Sequence, residues 1–96
     1  MSKEMIGRYV VVRTYSAGVH VGVLAARDGR EVTLTDARRI WHWYGANTLN
    51  EISLKGVGAK SRVALAVPEI LLTEAIEVIP ATPEAEANLR DAAWAG

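Results

Sequence analysis

The residues with the most to offer chemically stand together in ARRIWHWYGANTLN, residues 37 to 50. On an extended backbone side chains alternate, so Arg39, Trp41 and Trp43 share one face, while Arg38, Ile40, His42 and Tyr44 share the other. An indole can stack on a planar base, and a guanidinium can fork a phosphate or a carboxylate. Gly45, Asn47 and Thr48 add amide, hydroxyl and helix N-terminal donors, a natural place for an anion. The candidate ligand set is therefore Arg38 and Arg39 for phosphate and Trp41 or Trp43 for stacking. Asn47 and Thr48 supply hydrogen bonds, and Tyr15 and Ser16 close the pocket from the first turn. The competing reading buries Trp41 and Trp43 in the core under arginine stems. With two tryptophans beside paired arginines, in a chain without phenylalanine, the two readings stand level.

Catalysis finds little support in the same inventory. The chain has two histidines, about twenty residues apart, and no cysteine, so neither a zinc-type ligand spacing nor a thiol nucleophile exists. There is no P-loop and no dinucleotide-binding glycine pattern. Ser16 has no local triad partners, and His20 reads as a half-exposed strand histidine. Glu74 and Glu77, three apart on a strand, point to opposite sides. No catalytic residue, metal or cofactor is expected, and the chain reads as non-enzymatic.

Composition narrows the partners. Eleven cations balance eleven anions over 96 residues, which argues against a general grip on nucleic acid. Half the residues are hydrophobic, as in a folded chain. The polar N-terminus MSKEMIGR is unlike a signal peptide, and no apolar run approaches the roughly 20 residues that span a bilayer. These features point to one soluble domain over residues 1–96, with residues 1–7 as a flexible N-terminal segment. A core this small gains from self-association, so a homo-oligomer is expected.

Several elements must position the candidate residues. RYVVVRTY, VHVGVLAA and EVTLTDA read as a three-stranded meander, with Asp28-Gly29 as hairpin signal and Gly22 marking a bend or close backbone approach. Val32 and Leu34 face inward there. The aromatic stretch follows as an irregular excursion. Thr48 and Glu51 have capping-box spacing for a short middle helix that faces the core with Leu49 and Ile52 and ends at Lys55-Gly56. RVALAV and EILLTEAIEVI read as closing strands, the second bent near Thr73 and Glu74. Thr82 caps a C-terminal helix over 83–94, with Pro83 at its first position and a narrow stripe of Ala85, Leu89 and Ala92 that docks lightly. The fold class is mainly β: a small barrel or strongly bent antiparallel sheet with a short middle helix and a C-terminal helix.

The pattern VGVLAARDGREVTLTDA, with ILLTEAIEVI, resembles the strand–turn–strand core and closing strands of Sm-like and SH3-like barrels. Over residues 8 to 82 the chain is also similar to a family of small proteins of tailed bacteriophages and prophages. Its members show RTYSAGV, then ARRIWYWxGAxSL, then LTEAIEIIPCT. Here His42 stands for a tyrosine and Thr48 for a serine, changes that keep polarity. Ala81 stands for a cysteine, so that thiol is dispensable to any chemistry. The resemblance implies a phage setting and the cytoplasm of an infected host. There a small non-enzymatic protein builds virions or counters host defence, for instance by sequestering a nucleotide-derived immune signal. Binding of such a ligand is the leading expectation. A virion or protein-interaction module is the alternative, and an RNA-binding Sm-like ring is the third.

Overall fold

The computed structural model describes residues 5–42, 48–58 and 61–92, the side chain of His42 excepted. Strands β1 (Tyr9–Thr14), β2 (Val19–Asp28) and β3 (Glu31–His42) form an antiparallel meander. Asp28 pairs with Glu31 across a two-residue turn in which Gly29 takes φ +60°. That conformation at the first turn position suits glycine. Helix α1 (Leu49–Lys55), β4 (Arg62–Val63), β5 (Val67–Leu72), β6 (Ala75–Pro80) and α2 (Pro83–Asp91) follow.

Strand β5 pairs with β3 and β6 pairs with β1, on opposite sides of the meander, yet only Thr73 and Glu74 separate them. A flat sheet would hold β5 and β6 about 19 Å apart, at about 4.8 Å per strand. Three Cα–Cα steps reach at most about 11 Å. The sheet must therefore curl strongly, so that the end of β5 lies close to the start of β6. Two backbone hydrogen bonds tie the bend to both hairpins: Ala75 N donates to Arg30 O at 3.0 Å, and Tyr15 N donates to Glu74 O at 2.9 Å.

Curling makes both faces of the meander apolar. Val10, Val12, Leu24, Val32, Leu34, Ala37, Leu72 and Ala75 fill the barrel interior. Tyr9, Val11, Val19, Val21 and Ile40 point the other way and are covered by Ile52 of α1 and by Ala85 and Leu89 of α2. The mainly-β expectation holds, as do the bend at Thr73–Glu74 and both helix starts. Thr48 Oγ accepts from Glu51 N at 3.3 Å, and Thr82 Oγ accepts from Ala85 N at 3.1 Å.

Four expectations need correction. The aromatic stretch opens as strand, because β3 continues to His42 instead of leaving the sheet after Ala37. RVALAV gives only the two-residue β4, since the chain leaves β3 at Ala64 and rejoins it at Val67. Of the N-terminal seven residues, Met5 packs against the interior cluster and Gly7 N donates to Leu24 O at 2.8 Å, which holds this part in place. Residues 1–4 lie outside the described residues. Finally, α2 ends at Asp91, with Ala92 at ψ 132°, and it docks firmly. Ala85 and Leu89 are fully buried, and Asn88 grips Val57 through both its backbone N and O. The narrow stripe suffices because polar clamps supplement it.

Candidate functional site

A bulge in β3 decides which side chains reach the site. Val21 pairs with Arg38 but Val23 pairs with Thr35, so β3 carries one extra residue opposite Gly22. That residue, Asp36, sits at φ +51°, and a Cβ on Gly22 would lie 3.0 Å from Thr35 O and 3.1 Å from Ala37 Cα. Such a bulge flips the alternation beyond it. Ala37 thus enters the barrel interior, Arg38 and Ile40 turn to the helix side, and Arg39 and Trp41 emerge on the interior side, near the open end of the barrel.

The two arginines therefore have different fates. Arg38 is buried and unpaired with any carboxylate among the described residues. Its Nε donates to Ala64 O at 2.7 Å, and Nη1 donates to Leu89 O at 3.0 Å, Arg90 O at 3.3 Å and Ala92 O at 2.7 Å. Nη2 adds Val63 O at 3.4 Å. The last carbonyls of a helix have no intrahelical donors and carry the negative end of its dipole, so a buried guanidinium both satisfies and neutralises them. Arg38 belongs to the fold and is removed from the candidate phosphate set.

Arg39 is exposed and lies opposite His20 in the register. Its Nε donates to His20 Nε2 at 3.2 Å. Trp41, two residues on, is 48% exposed and carries the Arg62 guanidinium 5.2 Å from its ring centroid. That exposure sets aside the core reading for Trp41. Beside Arg39 opens a cavity of about 210 Å³ lined by His20, Ala37, Arg39, Leu65, Val67 and Ile70, among others. It connects the barrel interior, through Ala37 and Ile70, to the surface at Arg39.

His20 is 1% exposed, which corrects the half-exposed expectation. Burial, and then the Arg39 cation, push its pKa down to about 4. A base with a depressed folded-state pKa binds its proton more readily when unfolded. Its contribution to stability is thus complete above about pH 6.5 and is lost as pH falls towards about 4. Thermal melts should show a melting temperature that declines across this window in the native chain. The decline should be shallower in His20→Leu, and equal slopes would refute the assignment.

The remaining candidates are not gathered here. Tyr15 is 79% exposed and borders a separate hollow with Arg30, Glu74, Ala75 and Ile76. Ser16 Oγ donates to Glu74 Oε1 at 2.5 Å in the same region. Thr48 spends its hydroxyl on capping α1, which has only seven residues. Trp43 and Asn47 lie outside the described residues. Sequence reading missed Arg62, whose place beside Trp41 depends on the short β4 pairing. It also passed over His20 as a site residue. A further hollow, about 290 Å³, lies on the helix side between Tyr9, Asp36, Arg38 and Arg90. There Arg90 bridges Asp36 at 2.5 Å and Glu86 at 2.8 Å and stacks over Tyr9. Among the described residues no group of His, Asp or Glu could hold a metal ion, and no helix is long and apolar enough to cross a membrane.

The chain belongs to a family described as a domain of unknown function (DUF6948), whose pattern matches residues 7–89. No curated protein matches the chain, and no solved structure does.

Proposed function

We propose that this chain is a non-catalytic binding protein for a small anionic, nucleotide-derived molecule, held at the open end of the barrel. The observation that carries the reading is exposed Arg39 on the lining of the 210 Å³ cavity, with half-exposed Trp41 two residues on along the same face of β3 and Arg62 over its ring. An exposed guanidinium, a half-exposed indole and a hollow with an apolar lining together offer more than packing requires. They supply a phosphate contact, a stacking plane and a slot. Net charge of zero suits one small ligand better than a long polyanion. In the phage setting that the motifs resemble, such a protein would act in the infected cell's cytoplasm by sequestering a host immune signal.

Calorimetry and thermal shift against cyclic dinucleotides, cyclic oligonucleotides and ADP-ribose derivatives test the reading. One class should raise the melting temperature, and the ligand should be recovered intact. Trp41→Ala should cost about 1–3 kcal/mol of binding, and Arg39→Ala a comparable amount. A panel with no stabilising ligand would remove the proposal.

A second reading, a protein-interaction or self-association module, draws on exposed Leu65, Val67, Leu71 and Ile76 along β5, β6 and their approach. Among the described residues the outer edges of β5 and β6 have no strand partner, and they would serve a symmetric homo-oligomer. Light scattering that gives a one-chain mass at micromolar concentration would exclude self-association. Recovery of the protein from purified virions would favour a structural role instead.

A further inference from the structure

One donor of a residue that lines the cavity has no acceptor. Arginine Nε carries a hydrogen and can only donate, so His20 Nε2, which receives it at 3.2 Å, must be the lone-pair nitrogen. A neutral imidazole then carries its proton on Nδ1. That Nδ1 is shut off from solvent and has no hydrogen-bond partner among the described residues, so an acceptor in the cavity reaches it only where the wall at His20 gives way. Other members of the cavity lining, Ala37, Ala64, Leu65, Val67 and Ile70, bring apolar side chains. Leaving such a donor unmatched is unfavourable in the ligand-free protein, and the penalty is lifted by anything that brings an acceptor to it.

We infer that His20 Nδ1–H is a ligand-selecting donor: the slot takes a single-ring heterocycle that turns a carbonyl or ring nitrogen to His20, with its phosphate on Arg39. The inference rests on the binding reading above and specifies which part of a nucleotide enters first. Size supports it, because an apolar cavity of about 150 Å³ already accepts benzene, and this one holds about 210 Å³. The pairing of His20 with Arg39 in the strand register, and the hydrogen bond between them, keep the two contacts next to one another. A ring without an acceptor would leave Nδ1 unmatched and would bind less well, as sites built around a hydrogen bond reject analogues that lack it.

The test uses thymidine 5′-monophosphate and its 2,4-difluorotoluene isostere, which has the same shape and phosphate but lacks the carbonyl acceptors. Calorimetry on the native chain should show about tenfold tighter binding of thymidine 5′-monophosphate. His20→Leu should bind the two equally while retaining its fold, since it removes an unmatched polar group. Nitrogen NMR of the ligand-free protein supplies a check that needs no variant: the His20 proton should be on Nδ1. Equal binding by the native chain, discrimination that survives His20→Leu, or a proton on Nε2 would each overturn the inference. Failure of thymidine 5′-monophosphate to bind at millimolar concentration would overturn it as well. None of these results touches the wider binding reading, which falls only if the whole ligand panel fails.

Discussion

Arg38→Ala is expected to cost about 3–5 kcal/mol of stability, because several buried carbonyls lose one charged donor together. The variant strips donors from five carbonyls at once, three of them at the end of α2 and two where the chain leaves β4. Each buried carbonyl left without a partner carries a desolvation cost of about 1–3 kcal/mol, although neighbouring losses do not add. In a domain of this size each kcal/mol shifts the melting temperature by roughly 4–8 °C, so a fall of at least about 12 °C should be seen. Urea unfolding monitored by tryptophan fluorescence gives the free energy directly. Arg38→Lys keeps the charge but cannot spread donors over both elements, and should recover less than half of the loss. A loss below about 1 kcal/mol for Arg38→Ala would mean that these carbonyls are served otherwise. The contrast with Arg39 is part of the prediction: Arg39→Ala gives up the bond to His20 and should cost well under half as much as Arg38→Ala, while it weakens ligand binding.

Neighbouring arginines with opposite roles show where the sequence was legible and where it was not. Alternation separates Arg38 from Arg39 correctly, and the hairpin signal at Asp28-Gly29 even contains the His20–Arg39 pairing. Counting outwards from Asp28 and Glu31, His20 falls opposite Arg39, because the irregularity after Leu24 in β2 and the one at Asp36 in β3 cancel. What alternation cannot say is which face is barrel interior and which lies under the helices. Both faces of the meander are apolar, so the usual cue of a polar outer face is missing. Gly22 marked the close approach, yet the extra residue, Asp36, gave no sign of itself in type or spacing. The helix caps were readable because their chemistry is local: Thr48, Thr82, Pro83 and Gly56 act within a few residues of themselves. The firm seat of α2 was not, because Asn88 and Arg38 reach it from far along the chain.

Gly56→Ala probes that seat from the other side and should cost about 2–6 kcal/mol. Gly56 closes α1 at φ +85° and ψ −154°, a region that is essentially reserved for glycine, and a side chain there carries about 1–3 kcal/mol of strain. A Cβ would also overlap the Asn88 side chain. Asn88 cannot yield freely, because its Oδ1 accepts from Val57 N at 2.8 Å and its Nδ2 donates to Val57 O at 3.0 Å. Pushing it aside breaks both bonds and leaves buried backbone groups of Val57 unmatched, which adds about 1–3 kcal/mol. Gly18→Ala separates the two effects, since Gly18 sits at φ +84° and an added Cβ would meet nothing within 4 Å. It should show backbone strain alone, about 1–2 kcal/mol. A cycle with Asn88→Ala completes the argument. Once Asn88 is truncated the overlap with its amide disappears, so Gly56→Ala should cost less in that background, by about 1 kcal/mol or more. Equal costs in the two backgrounds would show that the Asn88 clamp plays no part, and that α2 is held by its apolar stripe and Arg38.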